Sequence, residues 1–561
     1  MQRNKIKIFS KLVIMFFILG VFLFSAKAQA ADFQVGPGQA YTTIGSVPWY
    51  ALAPGDTVYI HYAIYHEKFQ VSTRGTAQNH IRVIGVPDNN GNLPIIDGQD
   101  ATTSNNNHFH WQDPTQVQTS GVVFISINSD AAPMPAYIEI KNLEIKNGYT
   151  NSNFSAENGS ILAYNGFAAG VNIRAAEHIL IENCIIHDNG QAIYNWTGSG
   201  SDWWDGLSKD IILRGNYFYG NGVVGGYGSH QTYTEAEGVV IEYNHYGPVR
   251  AGSLGSELKD RSAGTIIRYN LFDSAPLGWF LDLVEPQNGW GALGVMDIFK
   301  QTFVFGNVII NKENHTPNYV HWNEDQTGGI GRAFVSGGKL LFYNNTILTV
   351  ANQSDMGWDV PSSAFHLFNT TYGAYDCSPI SPTGIIDIRN NIFAVQPRTA
   401  GQPVPIQRFA YCNDQNFNFG KNWVSPGWIT NTSGVVTGTS NIISPVGNNP
   451  GFADINLNNL RLVAGSSAIG AAGVLAPEIT SNYLGLNLSP IAQYVANQNS
   501  EVRASLNDIG AYEYSTGPAT YSISNFTTLF SSWLHIGTVS DLNSDNIENT
   551  KDLGIMMNKW N

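Results

Sequence analysis

Lys259 and Arg261 stand two positions apart in the run Gly255-Ser-Glu-Leu-Lys-Asp-Arg261, in a 561-residue sequence of which only 13% is charged. His230 and Tyr233 precede them, and Asp282 and Glu285 follow at a similar interval. This set suits β-elimination at a uronic acid. The proton to be abstracted sits beside a carboxylate, whose charge a cation must offset, and the leaving oxygen must be protonated. The expected roles are Lys259 as base, Arg261 as carboxylate clamp, and His230 or Tyr233 as acid, with Asp282 and Glu285 near the substrate. Trp279 and Trp290, with Trp203, Trp204 and Trp322, fall in loop-like segments and offer faces on which sugar rings stack. The bland alternative is that Lys259-Asp260-Arg261 is a solvated edge with local ion pairing and that the tryptophans merely cap loops.

Convergence of residues so far apart requires a fold that returns at short intervals. From residue 137 onward, short β-branched and aromatic runs carry an asparagine at one place: Asn142, Asn183, Asn216, Asn244, Asn270, Asn307, Asn345 and Asn391. Each run alternates as a strand does and then gives way to Gly, Asn and Asp turn chemistry. Helical patterning is nearly absent between them, so β-α-β crossovers are not expected. A solenoid accounts for the pattern, because residues of like phase on successive turns become neighbours and gaps of unequal length become loops. The stacked asparagines are expected to hydrogen-bond from turn to turn. The expected class is all-β, a right-handed parallel β-helix, with a β-propeller as second choice.

The N-terminal series Val35-Gly-Pro-Gly-Gln-Ala-Tyr-Thr-Thr-Ile44, Ala53-Pro-Gly-Asp-Thr-Val-Tyr-Ile60 and Pro94-Ile-Ile-Asp-Gly98 resembles the opening of the pectin-lyase-like β-helix superfamily. The asparagine-bearing runs and the ending Asn507-Asp-Ile-Gly-Ala-Tyr-Glu-Tyr514 are similar to that family too, so the resemblance covers roughly residues 33–514. It implies fold more than reaction, since this superfold hosts lyases, hydrolases, epimerases and binding proteins. The Lys-x-Arg element ahead of Ile267-Arg-Tyr-Asn270 further resembles the alginate- and chondroitin-lyase branch, which places a Lys and an Arg on neighbouring strands. On this sequence that implies Lys259 with Arg268 or Arg261.

A glycoside hydrolase, the second choice, needs two carboxylates at a fixed separation, and the Asp-Asp and Gly-His-Gly signatures of β-helical polygalacturonases are absent. Nucleophile-elbow, phosphate-loop and zinc spacings are absent as well.

Residues 1–30 read as a signal peptide: Arg3, Lys5, Lys7 and Lys11 precede the apolar run 12–24, and Ala28-Gln-Ala30 is a cleavage site. Secretion to the extracellular space or cell surface is therefore expected, without a membrane span. Cleavage would remove five basic and no acidic residues, taking the formal charge from −14 to −19, with 24 basic against 43 acidic side chains. Nucleic acid is thus not an expected partner; a polysaccharide is. Of three cysteines, Cys377 and Cys412 stand in loop-like surroundings suited to pairing, and Cys184 reads as a buried strand residue.

After a linker at 515–520 comes Asp541-Leu-Asn-Ser-Asp-Asn-Ile-Glu-Asn-Thr-Lys-Asp552. Asp541, Asn543, Asp545, Asn549 and Asp552, with the Ile547 carbonyl, follow the ligand order of a calcium loop. Two departures are Asn546 where such loops carry Gly and Asp552 where they carry Glu. The flanking runs Phe526–Trp533 and Leu553–Trp560 repeat one apolar spacing 27 residues apart. Residues 521–561 so resemble a dockerin, a small α-helical calcium module that docks enzymes onto scaffold proteins, which implies a cohesin-like or cell-surface partner. The first loop lacks the ligands. The combined expectation is a secreted polysaccharide lyase on an acidic glycan, spanning 31–514, with Ca2+ in the C-terminal loop and the groove as an open alternative for a further calcium. The alternative is a non-catalytic glycan-binding or adhesion protein displayed through that module.

Overall fold

The computed structural model of the chain describes residues 30–514 apart from 110–116, 130–131, 199–205, 275, 313–317, 324–331, 333–334, 353–362, 367–382, 406–407, 411–415, 431, 433, 446, 480–482 and 496–497. The leader, Cys377, Cys412 and residues 515–561 with the calcium loop lie outside the described residues.

The chain winds as a parallel coil with three faces. One turn runs through Glu237–Glu242, His245–Tyr246 and Leu258–Asp260; the next runs through Ala263–Arg268, Leu271–Phe272 and Leu281–Val284. Strands of like phase pair in parallel, giving among the described residues two sheets of thirteen strands and one of twelve, the third sheet's count including one antiparallel hairpin, Asn153–Ser155 with Ile161–Ala163. The first sheet runs from Asp32–Val35 to Val436–Thr437, the second from Ile64–Tyr65 to Ile442–Ile443, and the third ends at Arg408–Ala410.

Parallel register puts like residues on top of one another, and this builds the core. In the first sheet Ile140, Ile181, Leu213, Ile241, Ile267 and Val304 stack in line. Ile145, Ile186, Phe218, Tyr246 and Phe272 do so in the second. All are essentially removed from water, so each turn covers the apolar edge left by the one before.

Asparagines form a continuous ladder at the bend between the first and second sheets. Asn216, Asn244, Asn270, Asn307, Asn345, Asn391 and Asn422 each receive or pass on an amide bond of 3.0 Å or less. The Oδ1 of each also accepts the backbone N–H of the preceding member, as in Asn270 N to Asn307 Oδ1 at 3.0 Å. Asn142 and Asn183 are not in the ladder, contrary to the sequence alignment. They occupy the preceding position, with φ of 57° and 54°. Gly215, Tyr243, Tyr269 and Gly306 adopt the same left-handed conformation in later turns, which Asn and Gly accept most readily. Cys184 stands at the ladder position instead: its N–H donates to Asn216 Oδ1 at 2.9 Å, and its Sγ lies near the Glu182 and Ile140 carbonyls. It is buried, as its sequence context suggests.

Coil strands stop at Ile443, short of the expected end at 514. Residues 444–514 turn back along the outside of the first two sheets, with antiparallel hairpins Phe452–Asp454/Asn459–Leu462 and Ala492–Val495/Asn499–Val502. Tyr269 and Tyr343 hydroxyls donate to the Ser489 and Leu488 carbonyls, and Gly510 N–H donates to the Asn390 carbonyl. Among the described residues no helix is long and apolar enough to cross a membrane.

Candidate functional site

The third sheet turns a polar row outward. Its inward row is mainly apolar, with Val171, Ile193, Thr232, Leu258, Leu281 and Val320 in the stack. The intervening positions, on the opposite face because side chains alternate, are Asn172, Tyr194, Tyr233, Lys259, Asp282 and His321, one per turn. Sequence proximity is thereby exchanged for strand-to-strand proximity.

Lys259, Arg261, His230 and Tyr233 line one cleft of about 440 Å³. All four are less than a tenth exposed. Lys259 Nζ donates to Asp282 Oδ2 at 2.7 Å, and Asp282 Oδ1 lies 2.7 Å from His321 Nδ1. Burial by itself would raise the Asp282 carboxyl, but the Lys259 ammonium and then His321 hold it well below the usual carboxylate range. Arg261 Nη1 donates to the Glu285 carbonyl at 2.7 Å and stands 3.8 Å from Glu285 Oε1. Its guanidinium carbon is 5.8 Å from the centre of the Tyr233 ring. Tyr233 donates its hydroxyl to Gln287 Oε1 at 2.9 Å. The Ser256 N–H donates to His230 Nδ1 at 2.9 Å, which leaves the proton of the neutral ring on Nε2.

Glu235 fixes the far wall. Its Oε1 accepts the backbone N–H groups of Gln287, Asn288 and Gly289 at 2.8–2.9 Å, so the segment bearing Gln287 is held against Tyr233. Burial raises the Glu235 carboxyl above its ordinary value despite those bonds and Arg261.

The remaining expected residues are distributed as follows. Asp282 and Glu285, one turn on, engage Lys259 and Arg261 and are buried. Trp279 stacks on His321 at 4.8 Å between ring centres. Trp290 begins a short helix, Trp290–Leu293. Trp322 is inside the coil, paired in register with Leu283. Arg268 is not in the cleft. It ends a first-sheet strand in a row of alternating charge, Lys141, Glu182, Arg214, Glu242, Arg268, and its Nη2 is 2.6 Å from Glu242.

Sequence reasoning missed Arg174, Tyr194, Trp196 and Phe167, which line the same cleft. Tyr194 packs on Trp196 and Tyr233, with ring centres 5.2 and 5.1 Å apart. The available signal was alternation: Ala169-Gly-Val-Asn-Ile-Arg174 and Gln191-Ala-Ile-Tyr-Asn-Trp196 share the phase of Thr232-Tyr-Thr234.

The described residues offer a groove calcium no ready cluster of ligands. Among the described residues no three His, Cys, Asp or Glu side chains gather as metal ligands. Asp282 is engaged by Lys259 and His321, and Glu235 by three N–H groups.

No known family profile matches the sequence, and no curated protein matches it. Solved structures do. An alginate lyase from Paenibacillus sp. strain FPU-7 is 12% identical, with 69% of this chain and 99% of that chain covered and a TM-score of 0.40. A mannuronic acid specific polysaccharide family 6 lyase from human gut microbiota is 12% identical, covering 74% and 82%, with a TM-score of 0.39. A pectate lyase is 13% identical, covering 88% and 98%, with a TM-score of 0.37. The chemistry is therefore read from the cleft itself.

Proposed function

We propose that this chain is a secreted polysaccharide lyase that cleaves a uronate-containing glycan by β-elimination on a right-handed parallel β-helix. The observation that carries the reading is the meeting of Lys259, Arg261, Tyr233 and His230 in one cleft of a strongly acidic protein. Two cations there can neutralise a sugar carboxylate, which acidifies the neighbouring C–H.

Lys259 Nζ donates to Asp282 at 2.7 Å, and in this reading Lys259 joins Arg261 at the carboxylate instead of acting as base. Tyr233, on the adjacent strand and beside Arg261, acts as its phenolate and takes the C5 proton. The electron pair forms the C4–C5 double bond, the C4–O bond breaks, and the departing oxygen takes its proton from the now-neutral Tyr233 while His230 Nε2–H donates a hydrogen bond to it.

Alginate, pectate and chondroitin, each incubated with the protein and followed by ultraviolet absorbance of the unsaturated product, test this. Tyr233→Phe should lower kcat at least about 100-fold. A full-rate Tyr233→Phe enzyme sinks the assignment of the base. Binding of a polyuronate with no unsaturated product from any polymer would favour the second reading, a glycan-binding protein whose Lys259 is already charge-compensated by Asp282.

We further propose that residues 521–561 form a calcium-dependent docking module through Asp541, Asn543, Asp545, Ile547, Asn549 and Asp552. Circular dichroism of the full chain and of a chain ending at 520 gives the module's signal by difference. That signal should change between chelator and millimolar calcium, and an unchanged signal refutes the module.

A further inference from the structure

We infer that Arg174 is a second carboxylate subsite, so that the cleft grips an acidic glycan at two different sugar residues. This rests on reading the cleft as a uronate-binding groove and adds to it a length requirement.

Register relates the two arginines. Asn172, Tyr194, Tyr233 and Lys259 lie side by side on four consecutive third-sheet strands. Arg174 stands two residues after Asn172 and Arg261 two after Lys259, so the two arginines hold the same place in the coil, three strands apart. At the usual strand separation that is ~14 Å, more than one pyranose ring spans. Both line the same cleft, and both bear electrostatically on Tyr194, which lies between them.

Arg174 is held in place. Its Nε donates to Asn172 Oδ1 at 3.0 Å and its Nη2 to Ser120 Oγ at 2.8 Å, while Asn172 Nδ2 donates to the Ser120 carbonyl at 2.9 Å. It is only 7% exposed. A planar guanidinium oriented this way matches a carboxylate geometrically, as a lysine on a free stem does not. Between the two arginines the cleft is aromatic, with Trp196 and Tyr194 packed edge to face at 5.2 Å. Such rings suit a sugar face. The arrangement is cation, aromatic platform, cation: a carboxylated sugar at Arg261, a stacked ring, and a second carboxylated sugar at Arg174.

Calorimetric binding of oligogalacturonides and oligomannuronides, from disaccharide to hexasaccharide, tests this on the full chain. Tyr233→Phe serves as the background so that cleavage does not intervene. Affinity in that background should rise from disaccharide to hexasaccharide. Arg174→Gln should weaken hexasaccharide binding about tenfold and leave the disaccharide unchanged, which also reports that the variant is folded. Arg174→Lys should recover only part of the loss, and Arg261→Gln should weaken both ligands. In the active enzyme Arg174→Gln should raise KM for polymer with kcat kept. Equal affinity for short and long ligands, or an Arg174→Gln effect that is absent or length-independent, overturns the subsite while sparing the lyase reading. Failure to bind any uronate oligomer overturns both.

Discussion

Lys259 reaches one turn along the coil to Asp282, Nζ to Oδ2 at 2.7 Å, with both side chains almost wholly removed from water. Such a pair costs desolvation on both sides, and its worth to folding is seen only when one member is removed. Asp282→Asn is expected to lower stability by about 3–5 kcal/mol, since an ammonium is then left buried without its counter-charge. A Lys259→Met/Asp282→Leu double variant should regain most of that loss while losing function. Urea unfolding of the three proteins checks both statements.

Glu242 gives the fold an acid limit. Burial would raise its carboxyl, yet Arg268 and then Arg214 bring it down to about 2. A group depressed on folding stabilises above its unfolded value, near 4.3, and loses that contribution as pH falls through the folded value. The wild type should therefore lose about 3 kcal/mol between pH ~4.5 and ~2 in this one group. Glu242→Gln should flatten that part of the profile, measured as melting temperature against pH, while being less stable at neutrality.

The ladder separates two kinds of asparagine that look alike in sequence. Asn307→Ala strips the acceptor from Asn270 N–H and Nδ2 and removes the side-chain donor to the Ile267 and Phe305 carbonyls; a loss of at least about 2 kcal/mol is expected. Asn142→Gly, at a left-handed position off the ladder, should change stability by less than about 0.5 kcal/mol. Thermal melts of the two variants distinguish them.

Cys184 should be inert in the native protein. Burial pushes its thiol up to about 12, and only the thiolate is nucleophilic. Mass spectrometry after iodoacetamide should show the Cys184 peptide unmodified in buffer and alkylated in denaturant. Cys184→Asn, which extends the ladder by one member, should fold.

The first-sheet strands were legible because β-branched runs there end in an invariant bend, and the turn-to-turn stacking follows from it. Placing Asn142 and Asn183 correctly required counting from the next buried residue: Leu143 and Cys184 precede Ile145 and Ile186 by two, as Asn216 precedes Phe218. The third sheet was harder to read. Its strands are short, and their outward residues are Lys, Asp, Tyr and Asn, types that also mark loops. Lys259 and Arg261 stood out by charge in a charge-poor chain; Arg174 and Tyr194 did not, because the cleft that gathers them with Tyr233 and Arg261 joins separate turns. Arg268 has the right type but the wrong face, since it ends a strand of the first sheet and is matched there by Glu242.

The returning segment 444–514 sets an order on assembly. A ribosome delivers the turns one by one, and each can settle on the last as soon as it emerges. The segment's own anchors are spread over turns made long before it, among them Tyr269, Tyr343 and Asn390. It can fasten only onto a coil that is already wound, so the last residues of the domain act as a clasp whose closing marks a finished winding.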